Sequence, residues 1–167
     1  LDTGIRGANQ DVGGRANSGY SAVKDSNGTN DCDSVDHGHG TNTASLAVGS
    51  TYGVAKRATI TAVRVFDCKG NGGSSQVIAG INWVAKNAVQ PAVATLSLGS
   101  CGKNSAEDDA VRAMIAKGIT AVISAGNGSS CANVGGVGGS VEKHGPRKAV
   151  LIEPLGLAYE GETLQIR

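Results

Sequence analysis

Three blocks of apolar, β-branched residues divide the chain, and each predicts a buried β-strand. The blocks lie at 58–66, 92–98 and 119–124. Each is nearly continuous in apolar character, which is typical of strands that are covered on both faces. Gly, Asp or Pro residues stand next to the blocks and indicate turns there.

Two segments between these blocks have the periodicity of amphipathic helices. In the first, which Ser74 or Ser75 can cap and Pro91 ends, apolar residues recur at helical spacing. The second starts at Ser105, has acidic residues in its first turn, where the helix dipole favours them, and ends before Gly118. The apolar positions of the first helix are Val77, Ile81, Val84 and Ala88.

The alternation of strand and helix predicts an α/β fold with three layers: a mostly parallel sheet with helices on both faces. Sites in such sheets form beyond the carboxyl ends of the strands. We therefore expect 97–99 and 125–127 on one functional edge. Outside this region, 41–48 predicts a short helix, and the polar stretch 5–36 predicts loop with one short strand.

Composition and charge exclude several classes of protein. A chain of 167 residues with a formal net charge of +1 is expected to form one domain, and its scattered Lys and Arg residues give no nucleic-acid interface. No apolar run of 18 residues exists, so no membrane span is predicted. The four cysteines contain no C-x-x-C pair, which favours disulfides and an oxidising compartment over zinc.

Three polar residues have the chemistry of a serine hydrolase centre. Asp2 lies in Asp-Thr-Gly, and His39 lies between glycines in Gly-His-Gly-Thr. A carboxylate can fix the tautomer of such a histidine and stabilise its positive charge. Asn127 follows Ser-Ala-Gly at the end of a predicted strand, where its amide can donate to a developing oxyanion.

Together with these motifs, several further strings resemble the subtilisin-like serine peptidases (peptidase family S8), in the proteinase K and aqualysin branch. The resemblance covers residues 1 to about 131, and the remaining 132–167 form an unrecognised Gly-rich and basic tail. The matching strings are Asp2-Thr3-Gly4-Ile5-Arg6, Gly13-Gly14-Arg15-Ala16, Gly38-His39-Gly40-Thr41, Thr51-Tyr52-Gly53-Val54-Ala55-Lys56, Ile78-Ala79-Gly80-Ile81-Asn82-Trp83-Val84, Ser97-Leu98-Gly99 and Ser124-Ala125-Gly126-Asn127.

The resemblance implies a role for each matched residue in a secreted serine endopeptidase that hydrolyses peptide bonds. Asp2 would orient His39, the general base, and Asn127 would donate to the oxyanion. Polypeptide substrates or inhibitors are the implied partners, a monomer is expected, and no cofactor is required, although a structural calcium ion with unassigned ligands is implied. In addition, Ser97, Leu98 and Gly99 would pair with substrate backbone, Ala125 and Gly126 would line the specificity pocket, and Cys32 would form a disulfide with Cys68.

The sequence also departs from the family. Family members carry their nucleophile in Gly-Thr-Ser-Met-Ala, and no Gly-Thr-Ser occurs in this sequence. We therefore expect the chain as given to be inactive. Asn42 stands where the family has a second histidine, and 33–37 is a small insertion before Gly38. A non-catalytic homologue that binds peptides, or a product of a frameshift or altered splicing, is the alternative.

Several single residues and short motifs also allow other interpretations. Asp-Thr-Gly also occurs in aspartic peptidases and in ordinary turns. His37 lacks the flanking glycines of His39 and is predicted to be a surface residue, as is His144. Ser140 is predicted to be a linker serine, since no helix-like pattern follows it. Dinucleotide binding is excluded because no G-x-G-x-x-G joins a strand to a helix.

Overall fold

The computed structural model describes residues 1–99 and 104–124, together with the backbone of three short strands after residue 148. The chain forms two compact units, Leu1–Gly80 and Ile81–Arg167. Helix α2, Ser74–Asn87, begins in the first unit and ends in the second.

The first unit contains a two-stranded parallel sheet and one helix. Strand β1 is Ala16–Ser21, α1 is His39–Val48, and β2 is Ile60–Arg64. The two strands pair in register from Ala16 opposite Ile60, with an irregularity between Ser18 and Tyr20. Asp2 lies outside the named strands and forms an isolated parallel bridge with Arg64.

Helix α1 lies against the segment that carries Asp2. A Cβ atom built on Gly40 would stand 2.2 Å from the carbonyl oxygen of Gly4, so only glycine allows this close approach. Ala44, on the same helix, packs with Ile5 and Ala62 in a small apolar cluster. The helix that begins at His39 is therefore held close to the turn at Gly4.

The second unit contains a five-stranded sheet in the order β3-β4-β5-β6-β7. Strands β3, β4 and β5 are parallel, and β6 and β7 are antiparallel additions. Helix α3, Ser105–Ala116, connects β3 to β4. The strands are Val93–Leu96, Thr120–Ser124, Ala149–Ile152, Ala158–Glu160 and Thr163–Leu164.

The apolar interior of the second unit follows the predicted periodicity. Leu96, Val111, Met114, Ala121 and Ile123 are fully buried. Because α3 places Val111 and Met114 three residues apart on one face, and β3 and β4 bury alternate residues, these side chains share an interior.

These elements confirm the predicted α/β class with parallel strands. All three strand blocks form strands, each shorter than its apolar run, and both amphipathic helices form. The short helix begins at His39 rather than at Thr41. Helix α3 is capped by Asn104, which the sequence analysis did not assign. Among the described residues, no helix has the length and apolar character needed to cross a membrane.

Candidate active site

Asp2 and His39, 37 residues apart in sequence, meet through their side chains. His39 Nδ1 lies 2.8 Å from Asp2 Oδ1. The side chain of Asp2 is 11% exposed and that of His39 is 40% exposed. A buried carboxylate thus contacts one nitrogen of an accessible imidazole, which is the arrangement that orients a general base.

The backbone holds Asp2 on both sides. Its N–H donates to the carbonyl of Val63, and its carbonyl accepts from the N–H of Val65. Its carboxylate also accepts from the N–H of Thr3, at 2.7 Å, and from the hydroxyl of Thr43, at 3.4 Å. Since Thr43 lies one turn beyond His39 on α1, the helix contacts this carboxylate twice.

The environment of His39 favours its protonated form. The hydrogen bond to Asp2 raises the pKa of His39 above its ordinary 6.5, and partial burial opposes this rise. The negative charges of Asp2, Asp36 and Asp33 raise the pKa further. The site therefore stabilises an imidazolium, the species that a general base becomes once it has taken a proton.

The first N–H groups of α1 are satisfied by side chains from elsewhere in the sequence. The residue at the N-cap position, Gly38, has left-handed backbone and offers no side chain. Three distant oxygens replace it, since the orphan N–H groups of a helix start need acceptors. They are Asp33 Oδ2 for His39 at 3.1 Å, Thr3 Oγ1 for Gly40 at 2.9 Å, and Asp31 Oδ2 for Thr41 at 2.9 Å.

Asp31 links the Asp2 segment to α1. This carboxylate is 2% exposed and accepts from the hydroxyls of Thr3, at 3.0 Å, and Thr41, at 2.5 Å. It also accepts from the N–H of Asp33. Sequence reasoning missed these residues, although Thr3 and Thr41 lie next to the two residues that it singled out.

A disulfide and a buried arginine meet at Cys32, directly before the predicted insertion. Cys32 is joined to Cys68, the pair that the resemblance implied. The guanidinium of Arg64 is fully buried and forms two bonds to Asp25, at 2.7 and 2.8 Å. The bond from Arg64 is the main cause that holds the pKa of Asp25 far below its usual range.

One cluster of metal-ligating side chains converges among the described residues, and its chemistry does not suit the implied calcium ion. The cluster consists of Asp25, Cys32 and Cys68. Both sulfurs are in the disulfide, and the carboxylate is paired with Arg64. Calcium prefers oxygen ligands, so this group does not suit it.

The structure describes only some of the residues that were predicted to bind substrate. Ser97, Leu98 and Gly99 directly follow β3; Leu98 is buried, and Gly99 is exposed. Among the remaining predictions, Ala125, Gly126 and Asn127 lie outside the described residues, as do Cys101, Cys131, Ser140 and His144. The structure thus brings Asp2 and His39 together. His37 is exposed, as predicted for a surface residue.

Comparisons with known proteins agree with this geometry. A family model described as "Peptidase_S8: Subtilase family" matches residues 1–151, past the predicted end of the peptidase-like region at 131, and that boundary stays a prediction. The chain is 46% identical over 127 residues to the "Extracellular serine proteinase" of Thermus sp. (strain Rt41A). It is 43% identical over 130 residues to the "Alkaline serine exoprotease A" of Vibrio alginolyticus.

The matches cover most of this chain but only part of each relative. The matches include 76% and 78% of this chain but 30% and 23% of the two relatives. The crystal structure of "a cold adapted subtilisin-like serine proteinase" superposes with a TM-score of 0.78 at 39% identity, over 90% of this chain and 51% of that one. The chain therefore spans less than a third of these curated relatives and about half of that structure.

Proposed function

The chain belongs to the subtilase family of serine peptidases (peptidase S8), and from this premise we propose that it supplies the acid and base of a secreted serine endopeptidase. His39 is the general base, and Asp2 is the acid that orients it. The observation that carries the proposal is the 2.8 Å contact between Asp2 Oδ1 and His39 Nδ1. Extracellular relatives support secretion.

The contact favours the tautomer of His39 that carries its proton on Nδ1, because an ionised carboxylate can only accept a hydrogen bond. When Nδ1–H donates to Asp2, the neutral ring carries its lone pair on Nε2. That nitrogen takes the proton from a serine hydroxyl as the serine attacks a peptide carbonyl. The resulting imidazolium is stabilised by Asp2, in keeping with the raised pKa of His39.

The other parts of the centre are assigned by the family resemblance. Asn127 would donate its amide to the oxyanion. The segment 97–99 would pair with the substrate backbone as an added strand, which the exposed position of Gly99 after β3 supports. Ala125 and Gly126 would line the specificity pocket. The substrates are polypeptides.

The nucleophile is not among these 167 residues in its family setting, because no Gly-Thr-Ser occurs in them. We therefore propose that the chain as given does not hydrolyse peptides. A fluorophosphonate probe, which labels activated serines, should give no labelling. Labelling that disappears in His39→Ala would overturn this half of the proposal.

The catalytic roles are tested by restoring a nucleophile. The chain is fused to the part of the Thermus proteinase that follows the 127 residues similar to this chain. Hydrolysis of a chromogenic peptide by the fusion is then measured. We expect activity that falls by about 10⁴ in Asp2→Asn, since the amide holds the wrong tautomer. Asn42→Ala, an exposed change on the same helix, is the control. Equal activity of Asp2→Asn and Asn42→Ala would contradict the assignment.

A peptide-binding homologue without catalysis is the second candidate. The observation that favours it is the position of β3 at one end of the described sheet, where 97–99 continues an edge strand. Sequencing the source nucleic acid past the codon for Cys131 in all three frames distinguishes the two. A frame that encodes Gly-Thr-Ser-Met-Ala indicates a frameshifted or alternatively spliced peptidase, and its absence favours the binding protein.

A further inference from the structure

The insertion at 33–37 contains a carboxylate that contacts the helix carrying the general base. Asp33 is 2% exposed. Its Oδ2 accepts from the N–H of His39 at 3.1 Å, while its Oδ1 accepts from Val35 at 3.0 Å and from Asp36 at 3.4 Å. One side chain therefore closes the inserted turn and caps α1.

The local sequence offers no other cap for this helix. His37 and Gly38 both have positive φ, 55° and 99°, so the chain reverses sharply just before His39. A Cβ on Gly38 would stand 3.0 Å from Asp31 Oδ2 and 3.1 Å from the guanidinium of Arg6, and its positive φ would strain other residues, so the position disfavours a capping side chain. The acceptor for the N–H of His39 must come from elsewhere, and Asp33 provides it.

The inserted turn is itself anchored. Cys32, directly before it, is in the disulfide with Cys68, and the N–H and hydroxyl of Ser34 both donate to the carbonyl of Cys68, each at 3.0 Å. The guanidinium of Arg6 donates to the carbonyl of Asp33 at 3.3 Å. The turn that carries Asp33 is thus tied to Cys68, beyond the end of β2, and to the Asp2 segment as well as to α1.

Asp33 remains charged in this position. Burial alone would raise its pKa, but hydrogen bonds from the N–H groups of His39, Val35, Asp36 and Gly38 outweigh burial and lower the pKa. Its charge therefore adds to that of Asp36 near the imidazole.

We propose that Asp33 is a positioning residue for His39, which it holds by capping α1. The proposal rests on the function proposed above, since it concerns the base of that centre. The charged side chains around His39 in the described chain are Asp2, Asp33 and Asp36, with Arg6 and Asp31 behind Gly38.

Three variants separate position from charge: Asp33→Ala, Asp33→Asn and Asp36→Ala. Each removes one negative charge near His39. Asp33→Ala also removes both acceptor oxygens of the side chain, Asp33→Asn keeps one amide oxygen where two carboxylate oxygens accepted, and Asp36→Ala keeps both oxygens of Asp33. The measurements are amide hydrogen exchange at His39 and the pKa of its imidazole by NMR titration. Both use the chain as it is.

For Asp33→Ala we expect exchange at His39 to be roughly two- to thirtyfold faster, the range for a lost helix cap. Asp36→Ala should leave that exchange unchanged. Asp33→Asn should give an intermediate rate, because its single oxygen cannot accept from both His39 and the inserted turn. All three variants should lower the pKa of His39, because each removes a negative charge from its surroundings.

The proposal is overturned if Asp36→Ala accelerates exchange as much as Asp33→Ala, or if Asp33→Ala leaves exchange unchanged. If Asp33→Ala does not fold, Asp33→Asn decides: exchange at His39 that is faster than in Asp36→Ala supports the proposal, and exchange no faster than in Asp36→Ala overturns it. These readouts need no hydrolysis. Failure of the restored-nucleophile assay would therefore reject the proposed function without altering them.

Discussion

The two units of the molecule are stabilised in different ways. In the first, buried polar side chains connect segments distant in sequence, and Arg64 and Asp31 rank among its fully buried residues. In the second, the largest fully buried side chains are apolar ones such as Leu96, Met114 and Ile123. The stability of the first unit thus depends on specific pairs of polar groups. The stability of the second unit depends on apolar side chains, which tolerate other apolar neighbours of matching volume.

The two units should therefore differ in how well they tolerate amino-acid substitutions. A buried charge that loses its partner leaves an unsatisfied group, whereas a shortened apolar side chain leaves a cavity that can partly collapse. The first unit, which carries the acid and the base, is therefore expected to be the more sensitive to single polar substitutions. Four measurements test this, from the largest expected effect to the smallest.

Arg64→Ala should have the largest effect. It removes a fully buried guanidinium that bonds Asp25 and the carbonyls of Phe66 and Gly28. We expect the free energy of unfolding to fall by about 3–5 kcal/mol, because the truncation leaves a cavity and removes the donor of two backbone carbonyls, while the exposed Asp25 can be solvated by water. Urea denaturation followed by circular dichroism measures it.

The matched control is Arg112→Ala. Its bond to Asp109 is also 2.7 Å long, but both side chains are exposed. The loss should be below about 0.5 kcal/mol, since exposed pairs contribute little. Equal losses in the two variants would show that burial is not what makes the Arg64 pair important.

Leu96→Ala tests the apolar interior of the second unit. The side chain is fully buried in β3, so its truncation should lower the free energy of unfolding by about 3 kcal/mol through lost burial and a cavity. Leu46→Ala, on the 67% exposed Leu46 of α1, should change it little. A loss at Leu96 no larger than that at Leu46 would argue against a packed interior there.

Asn104→Ala compares a local cap with the distant caps of α1. The side chain of Asn104 accepts from the N–H groups of Ala106 and Glu107. Its loss should destabilise α3 by about 1 kcal/mol, seen as faster amide exchange confined to the first turn of that helix. If exchange at His39 changed as well, the two helix starts would not be independent.

The Asp2–His39 pair should make the stability of the chain depend on pH, and this is the smallest of the four expected effects. The pKa of His39 is raised in the folded state, so its contribution is complete below its ordinary 6.5 and is lost as pH rises through the folded value. Unfolding midpoints of wild type and His39→Gln, measured from pH 5 to 9, should therefore converge at high pH. Curves that stay parallel would indicate that the pair adds no protonation-linked stability.

Sequence periodicity predicted the second unit well. The 92–98 and 119–124 blocks form parallel neighbours, and α3 begins at Ser105 as predicted. The exception lies in the first turn of α3. Acidic residues were expected in this turn because the helix dipole favours them, and this argument does not require them to be buried. Glu107 and Asp108 are nevertheless each 2% exposed, and one carboxylate oxygen of each lacks a hydrogen-bond partner. Periodicity does not report such burial, because it depends on what covers the turn.

The site was predicted in part. Asp2 and His39 were identified from their strings, and the structure brings them to 2.8 Å. Asp31, Asp33 and Arg64 were missed because a lone Asp or Arg in a polar loop or a strand carries no periodic signal. Their partners include His39, 6 residues from Asp33, Thr41, 10 residues from Asp31, and Asp25, 39 residues from Arg64.

The sequence by itself determined where the helices and strands form and which two residues could act as acid and base, since propensity, apolar spacing and short motifs are local properties of a chain. Only the tertiary structure decided which polar side chains hold that pair. A hydrogen bond requires two groups to meet within about 3 Å, and their separation along the chain does not set that distance. Asp33, five residues before a glycine that cannot cap its own helix, acquires its role only once the chain has folded.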